Sequence, residues 1–289
     1  MKLSDFKLFI ELAIPLASIV SAVVAIMGSF MTRSFQAYSI IFIIGFIFFL
    51  SSCGFNALNA ITDVEADKIS RPTRPLPSSR ISLKKAINFL ILLYLLCFLL
   101  IISLTFLWSS KSTIILIIAD IALTIFYSIP PRIKNFPLLS NVIVGLHYST
   151  LPMLAGWLLF KPFHEAPFSI ILVITLLASG VNILEDFEDI EGDRLTNAKT
   201  LPILLGKKST IMILNSFYSI ALIISILNWL IFHLPYWAIA IPLEVFLMFI
   251  NLKLISTELN AFIAHRILNK SAILAIIISL ILMIGFILL

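Results

Sequence analysis

The sequence predicts an all-α integral membrane protein with nine transmembrane helices. Hydrophobic residues make up 61% of the 289 residues and charged residues only 12%. In soluble domains, roughly half of the residues are apolar and a quarter are charged. Mean hydropathy is +1.12. A membrane-spanning helix needs about 20 mostly apolar residues. Nine such stretches occur, at residues 9–31, 37–58, 86–108, 112–129, 138–160, 167–184, 209–232, 236–256 and 270–289.

Helices are expected throughout, because the alternating pattern of a membrane β-barrel is absent and lipid tolerates no open strand edge. The first stretch contains Pro15, which predicts a kink, and it is too long for a signal peptide. The second stretch ends at an acidic loop. The fourth carries Asp120 and Tyr127 and ends at Pro130-Pro131.

The last five stretches are also predicted to be membrane-spanning helices. Pro152, lying between Gly145 and Gly156, predicts a bent fifth helix beside a cavity. The sixth stretch ends at a second acidic loop. The last three are apolar, and Glu244, the acidic residue in their interior, receives no functional role in this interpretation.

The chain contains no Gly/Ser-rich or Pro-rich linker, so a single domain spanning residues 1–289 is expected. With nine spans, 17 of the 20 basic residues lie on the side of the N-terminus. The positive-inside rule then places the N-terminus and both acidic loops in the cytoplasm and the C-terminus outside the cell membrane. This distribution explains the net charge of +5 without a nucleic-acid partner.

Two acidic decapeptides hold nine of the fifteen acidic residues. Their offset of 126 residues indicates two pseudo-repeats, and an even number of spans between them places both on one side of the membrane. Each contains Asp-x-Glu-x-Asp followed by a cation. The two segments are Asn59-Ala-Ile-Thr-Asp63-Val-Glu65-Ala-Asp67-Lys68 and Glu185-Asp186-Phe-Glu188-Asp189-Ile-Glu191-Gly-Asp193-Arg194.

The spacing within each decapeptide predicts a metal diphosphate site. Residues four apart share one face of a helix, so the carboxylates of each segment repel one another unless a cation lies between them. Oxygen ligands without His or Cys favour Mg²⁺, which commonly binds one or two carboxylates together with substrate phosphates. Arg and Lys recognise phosphate, and such residues follow both segments: Lys68, Arg71, Arg74 and Arg80, then Arg194, Lys199, Lys207 and Lys208.

A diphosphate held at the membrane edge suggests a lipid diphosphate as substrate. If that lipid is an allylic isoprenoid, the carbocation formed on cleavage needs a dry pocket with aromatic faces. Candidates for these faces are Tyr127, Tyr148 and Trp157. Asp120 lies seven residues before Tyr127, on about the same helix face, and is a candidate for the same cavity.

These segments resemble the two Asp-rich motifs of the UbiA superfamily of intramembrane prenyltransferases. The first motif spans residues 56–80 and includes Arg71-Pro-Thr-Arg74-Pro-Leu-Pro-Ser; the second spans residues 182–206. Tyr127-Ser-Ile-Pro-Pro resembles the Tyr-Ser element of the family. The resemblance implies a helical bundle around a central cavity that is open to lipid. It also implies Mg²⁺-dependent transfer of a prenyl group from an isoprenyl diphosphate to a lipophilic acceptor, with two ions bound.

The resemblance also implies residue roles. The implied metal ligands are Asn59, Asp63, Asp67, Asp186, Asp189 and Asp193. The implied catalytic residues are Tyr127, Asp186 and Asp63. Expected substrate-binding residues are Asn56, Lys68, Arg71, Arg74, Arg194, Lys199, Asp120 and Tyr148. Three positions depart from the family pattern: Ala60 replaces an Asp, and Ile14 and Ala17 replace the Arg and Asn of Arg-Pro-x-Asn.

Of the possible acceptors, the resemblance favours geranylgeranylglyceryl phosphate, with a ring acceptor as the alternative. The loops around Arg71 and Asp193 resemble archaeal members that add a second geranylgeranyl group to geranylgeranylglyceryl phosphate. The segments after Tyr127 and Pro152 resemble members that act on ring systems such as quinone precursors. A secondary transporter and a binding-only member of the family are the further alternatives, and the oligomeric state is not predicted.

Overall fold

All regular structure in the described part of the chain is helical, which confirms the all-α class. The structure is a computed structural model that describes residues 3–34, 37–108, 110–195, 198–256 and 261–289. Residues 196 and 197 of the second motif lie outside these ranges. The α-helices are α1 Leu3–Ala13, α2 Pro15–Phe30, α3 Tyr38–Thr62, α4 Val64–Ser70, α5 Leu83–Leu107, α6 Lys111–Ser128, α7 Leu139–Gly145, α8 Leu151–Trp157, α9 Phe168–Glu185, α10 Ile190–Leu195, α11 Leu201–Phe232, α12 Pro235–Leu252 and α13 Ala261–Leu288.

The number of membrane-spanning helices is close to the prediction, but a count of nine is not confirmed. Within the described ranges, seven helices are long and apolar enough to cross a membrane, and α1 with α2 forms an eighth candidate that is bent by 58°. The predicted fifth span corresponds to α7, a π-helical turn at Leu146–Thr150 and α8 in succession. This irregular turn precedes Pro152, which lacks the N–H group that a regular helix requires.

The helices form two compact units, one of residues 1–134 and 151–164 and the other of residues 135–150 and 165–289. In the first unit, α2 packs against α3 and α8, and α3 also packs against α5 and α6. Glycines allow the contact between α2 and α8, because a Cβ atom added to Gly28 would lie 2.3 Å from the Met153 carbonyl oxygen. Such close helix packing at small residues is typical of membrane proteins.

In the second unit, α9 packs against α7, α11 and α13, and α12 packs against α11 and α13. Polar side chains inside these contacts are bonded to each other. The Ser225 hydroxyl donates to the fully buried Glu244 carboxylate at 2.8 Å, and the Ser271 hydroxyl donates to the Asn251 side-chain oxygen at 3.2 Å. α11 is kinked at Gly206, whose φ of 73° is in a region that favours glycine.

The bend between α1 and α2 lies at Ile14, which is in the left-handed region with φ 44° and ψ 65°. This conformation is strained for a β-branched residue. Pro15 begins α2 immediately afterwards, so the kink predicted from the sequence is present. The carbonyl oxygen of Ala13 accepts hydrogen bonds from the Asn56 amide and the Ser18 hydroxyl, both at 3.2 Å.

Candidate active site

The first acidic cluster lies where α3 ends and the short helix α4 begins. Asp63 is the junction residue, and its backbone interrupts the helix only slightly, with φ −101° and ψ 11°. The backbone N–H groups of Asp63 and Asp67 donate to the carbonyl groups of Asn59 and Asp63, each at 2.9 Å. The four-residue spacing is therefore retained, and the side chains of Asp63 and Asp67 are both buried.

Counter-charges to this cluster come from two loops of the same unit. The Arg132 guanidinium donates to Asp63 Oδ1 at 2.7 Å, and the Lys134 ammonium group pairs with Asp63 Oδ2. Arg74 Nη1 lies 2.8 Å from Asp67 Oδ2. Buried carboxylates are costly unless they are paired, so these three cations compensate the two aspartates.

The side chains of the first cluster fit Mg²⁺ in their chemistry. Asn59, Asp63 and Asp67 offer oxygen donors alone, which hard cations prefer. The side-chain oxygen of Asn59 is buried and accepts no hydrogen bond in the structure, so it retains an acceptor for a ligand. Across the described residues, no three His, Cys, Asp or Glu side chains converge in metal-binding geometry.

Tyr127 occupies the last turn of α6 and is buried. Its ring meets the edge of Phe55 on α3, with centroids 5.1 Å apart and planes at 74°. Asp120, also on α6, is fully buried and accepts a 2.8 Å hydrogen bond from the Ser51 hydroxyl. The structure thus gives Asp120 a polar contact between helices, and the prediction that it lines the substrate cavity stays untested.

The second acidic cluster lies between α9 and the short helix α10, in the other unit. Asp186 caps the C-terminus of α9. Asp189 precedes α10, and its carbonyl oxygen accepts a 2.8 Å hydrogen bond from the Asp193 N–H. The Asp193 side chain is buried, with 2% of its surface exposed. The helical spacing between Asp189 and Asp193 again matches the sequence prediction.

Amide groups, rather than cations, contact Asp186. The Asn141 side chain donates to Asp186 Oδ2 at 3.1 Å and to the Asn182 side-chain oxygen at 3.0 Å. Burial raises the pKa of Asp186 to about 8; the carboxylates of Asp193, Glu185 and Asp189 add to this increase and the hydrogen bond from Asn141 opposes it. The oxygen donors of this cluster also fit Mg²⁺, whose charge would favour the ionised form.

A side-chain relay connects the second cluster to α13. The His265 ring lies 2.8 Å from Glu188 through Nδ1, and its Nε2 lies 2.9 Å from the Asn269 amide. Because an amide N–H can only donate to Nε2, neutral His265 carries its proton on Nδ1 and donates it to Glu188. The relay links the loop that carries Asp186 and Asp189 to α13.

The predicted phosphate-binding residues have different environments. Lys68 pairs with the exposed Glu65 at 2.7 Å, and the Arg74 guanidinium binds Asp67. Arg71 is partly exposed, and Arg194 and Lys199 are exposed. The contact with Asp67 holds Arg74 beside a predicted metal ligand.

Three other predicted residues lie within helices. Asn56 bonds to the carbonyl of Ala13 and to Ser18, so the structure gives it a role at the bend between α1 and α2. Tyr148 lies in the π-helical turn and meets the His147 ring edge-on at 4.7 Å. Trp157 is buried and donates to the Pro162 carbonyl at 3.1 Å.

Sequence reasoning missed the direct partners of the aspartates. Arg132 and Lys134 counted only toward the charge asymmetry, although they follow Tyr127 closely in sequence. Asn141 was not assigned a role, although an amide within an apolar stretch is expected to have a polar partner. The pairing of each with its aspartate depends on contacts between residues more than 40 positions apart.

Comparison with known proteins identifies the family. Residues 17–269 match the model of the UbiA prenyltransferase family. The chain belongs to this family. The family match confirms the resemblance seen in the sequence. It establishes the chain as a prenyltransferase of a multi-pass membrane family. The secondary-transporter alternative is therefore without support.

Curated relatives of this UbiA member include archaeal synthases. The digeranylgeranylglyceryl phosphate synthase of Pyrococcus horikoshii is 32% identical over 235 residues, which cover 76% of this chain and 77% of that protein. The synthase of the same name from Methanobrevibacter smithii is 31% identical over 214 residues, covering 71% of each chain.

Solved structures have the same fold. A digeranylgeranylglyceryl phosphate synthase structure is 26% identical to this UbiA member, with a TM-score of 0.70 and coverage of 98% of this chain and 99% of that chain. A UbiA homolog from Archaeoglobus fulgidus bound to GPP and Mg²⁺ is 17% identical, with a TM-score of 0.73 and coverage of 98% and 100%. The second similarity shows the fold alone.

Proposed function

We propose that this UbiA member transfers a geranylgeranyl group from geranylgeranyl diphosphate to the free glycerol hydroxyl of geranylgeranylglyceryl phosphate. The allylic C–O bond of the diphosphate breaks and diphosphate leaves with the bonding electrons. The hydroxyl oxygen forms the new ether bond and loses its proton. The observation that carries this proposal is the 32% identity over most of the chain to a digeranylgeranylglyceryl phosphate synthase.

Two Mg²⁺ ions are proposed, one for each acidic cluster. Asn59, Asp63 and Asp67 would hold the first, and Asp186, Asp189 and Asp193 the second. Bound Mg²⁺ supplies electrostatic stabilisation of the departing diphosphate. The buried acceptor oxygen of Asn59 and the oxygen-only donor sets support this assignment, as does the Mg²⁺ bound by the Archaeoglobus fulgidus homolog.

Cations of the chain itself are proposed to bind the diphosphate. Arg132 and Lys134 neutralise Asp63 in the structure. A bound ion beside Asp63 would repel them, and a diphosphate would offer them new anionic oxygens at the same place. Lys68, Arg71 and Arg74 from the first motif, and Arg194 and Lys199 from the second, are proposed to provide further contacts.

Tyr127 is proposed to shield the reacting carbon. It is buried and packed edge-on against Phe55, so its position is fixed and water is excluded around it. An aromatic face stabilises a nearby cation by about 0.5–2 kcal/mol. Tyr148, which is half-buried and meets the His147 ring edge-on, is proposed to offer a second aromatic face. Asp120 is retained as a polar residue of the cavity wall.

The orientation in the membrane is also a proposal. The positive-inside rule supports a cytoplasmic N-terminus, cytoplasmic acidic clusters and an external C-terminus. The diphosphate group and its Mg²⁺ ions are hydrophilic, whereas the prenyl chain is lipophilic. Acidic clusters at the ends of helices would therefore meet the diphosphate at the membrane surface. A single domain over residues 1–289 with two pseudo-repeats remains the expected organisation.

The deciding experiment is a transfer assay with purified protein and labelled geranylgeranyl diphosphate. Geranylgeranylglyceryl phosphate and a 4-hydroxybenzoate-type ring are offered in parallel, with and without Mg²⁺. We expect ether product on the glyceryl phosphate, dependent on Mg²⁺ and absent in Asp63→Asn and Asp189→Asn. Product on the ring alone would show that the acceptor is a ring compound and not the glyceryl phosphate. Binding of the diphosphate without transfer to either acceptor would favour a binding-only protein.

A further inference from the structure

A buried hydrogen bond joins the middle of α3 to the middle of α6. The Ser51 hydroxyl donates to Asp120 Oδ2 at 2.8 Å, and both side chains are fully buried. An acidic side chain within a membrane span is costly and is usually retained for a function. This pair therefore needs an explanation beyond the metal and diphosphate contacts.

A second contact between the same two helices lies nearer the first acidic cluster. On α3, Phe55 follows Ser51 by four residues; on α6, Tyr127 comes seven residues after the buried acid. Residues with these spacings lie on about the same face of a helix. The Phe55 and Tyr127 rings meet edge-on, with centroids 5.1 Å apart. The same two helix faces therefore carry both the hydrogen bond and the aromatic contact.

The two contacts belong to one alignment of α3 against α6. Both helices run toward Asp63, because α3 ends there and Arg132, four residues after the end of α6, binds it. At about 1.5 Å per residue, four residues of α3 span about 6 Å and seven residues of α6 about 10.5 Å. A long helical side chain points back toward the N-terminus of its helix, so the Tyr127 ring reaches back to the level of Phe55.

A directional contact specifies this alignment better than apolar packing does. Apolar side chains gain little by leaving lipid for a neighbouring helix, so they specify the register of two helices weakly. A hydrogen bond to a buried carboxylate weakens steeply when either helix moves. α3 itself is held by α5, since a Cβ atom added to Gly54 would lie 2.9 Å from the Tyr94 ring. The hydrogen bond from Ser51 thus fixes α6 against a helix that is already held in place.

We propose that Asp120 and Ser51 are positioning residues that hold the Tyr127 ring at the reacting carbon. This role rests on the function proposed above, in which Tyr127 shields that carbon from water. If α6 shifts against α3, the ring moves and water reaches the carbon. The allylic C–O bond still breaks and diphosphate leaves, but the oxygen of water forms the new C–O bond and loses a proton, which gives geranylgeraniol. The pair therefore controls the partition between transfer and hydrolysis.

Product analysis with labelled geranylgeranyl diphosphate and geranylgeranylglyceryl phosphate tests this role. Asp120→Leu removes the acceptor of the hydrogen bond and Ser51→Ala removes its donor. We expect the ratio of geranylgeraniol to ether product to rise about tenfold in each, because small displacements at a reacting centre have large effects. KM for the diphosphate should change less than about twofold, since the acidic clusters are unaltered. The double variant should show little more than the larger single effect, because the two side chains form one contact.

A conservative variant separates positioning from a direct part in the chemistry. In Asp120→Asn the amide oxygen still accepts the hydrogen bond from Ser51, so this variant should recover most of the transfer that Asp120→Leu loses. The matched control is Glu244→Leu, which removes a buried acid that accepts a 2.8 Å hydrogen bond from Ser225 in the other unit. Its product ratio should remain that of wild type.

Fluorine NMR measures the environment of the Tyr127 ring without any catalysis. 3-Fluorotyrosine is incorporated at position 127 of the full-length protein, and the resonance is compared among the variants. Asp120→Leu and Ser51→Ala should shift it, whereas Asp120→Asn and Glu244→Leu should leave it in place. A shift in Asp120→Leu and Ser51→Ala, in a chain whose wild type transfers no prenyl group, would support the positioning of Tyr127 and overturn the function proposed above.

Three results would overturn the positioning role. An unchanged resonance in Ser51→Ala, which decides the test if Asp120→Leu does not fold, would show that the hydrogen bond does not hold Tyr127. A loss of transfer in Asp120→Asn as large as in Asp120→Leu, with the resonance in place, would show that Asp120 itself contacts the substrate. An equal rise of hydrolysis in Glu244→Leu would attribute the effect to general loosening of the helices.

Discussion

The two acidic clusters have nearly the same sequence pattern but different electrostatic environments. In the first, cations bind the buried aspartates, with Arg132 and Lys134 on Asp63. In the second, the amide of Asn141 binds Asp186, whose pKa is raised to about 8. Asp63 is thus charge-compensated by cations of the chain, whereas Asp186 faces an amide and has a raised pKa. The repeat therefore specifies the oxygen donors, and residues from other segments decide which groups face Asp63 and Asp186.

The largest expected effects come from one buried aspartate of each cluster. Asp63→Asn and Asp193→Asn should each lower the transfer rate about 100-fold or more, because the charge that holds the ion is removed. Their matched controls are Glu65→Gln and Glu191→Gln, which neutralise exposed acids of the same segments. Comparable losses in the controls would show that total charge, rather than these side chains, is required.

The amide of Asn141 is expected to matter next. Asn141→Leu removes the donor to Asp186 and should lower Mg²⁺ affinity by about 10–100-fold, as for other residues that orient metal ligands. Isothermal titration calorimetry with Mg²⁺ and a diphosphate analogue measures this. Asn228→Leu is the control, since Asn228 bonds to the Ile224 carbonyl of its own helix. Unchanged affinity in Asn141→Leu would remove Asn141 from the site.

Magnesium affinity should depend on pH through the second cluster. Asp186 holds a proton below about pH 8, and Mg²⁺ must displace it, so affinity should rise with pH by up to about tenfold per unit and level off above pH 8. In Asn141→Leu the plateau should move to higher pH, because the hydrogen bond that lowers the pKa of Asp186 is lost. A profile that is flat between pH 6 and 8 would contradict this.

Neutralising a cation of the first cluster should have an intermediate effect. Arg132→Gln removes a charge-assisted hydrogen bond from Asp63 and, by the proposed function, from the diphosphate, so KM for the diphosphate should rise about tenfold. Arg132→Lys should recover part of this loss because it keeps the charge. Steady-state kinetics at saturating acceptor distinguish KM from kcat, and an unchanged KM would place Arg132 outside the diphosphate site.

The relay to α13 should have the smallest effect. His265→Ala removes the contact with Glu188, but His265 is 62% exposed at its side chain, where water replaces such contacts at little cost. We expect less than about a threefold change in the transfer rate. His265→Asn, which keeps a donor near Glu188, should restore the rate. A loss as large as that of Asp193→Asn would place the relay within the active site.

The sequence predicted most of the helices because hydropathy and length report directly on solvation by lipid. The ends of α3 and α9 fall within a few residues of the predicted boundaries, since an acidic loop cannot enter the hydrocarbon region. The fifth span was harder to predict. It contains a π-helical turn before Pro152, and the hydrogen-bond pattern of the backbone cannot be read from hydropathy.

Within the candidate site, spacing alone predicted that Asn59, Asp63 and Asp67 share a helical repeat, and likewise Asp189 and Asp193. The partners of these residues were not predictable, because Arg132, Lys134 and Asn141 reach them across loops and other helices. The same is true of Asn56, which the family pattern suggests for substrate and the structure places at the Ala13 carbonyl.

The sequence by itself determined the membrane class, the family and the two sets of oxygen donors, because hydropathy, charge and four-residue spacing are local properties of the chain. Tertiary structure alone decided which counter-ion or amide faces Asp63, Asp67 and Asp186, and that Asn56 binds the Ala13 carbonyl at the bend between α1 and α2. Those features depend on distances between segments far apart in the chain, and electrostatic interactions between side chains change steeply with distance and burial.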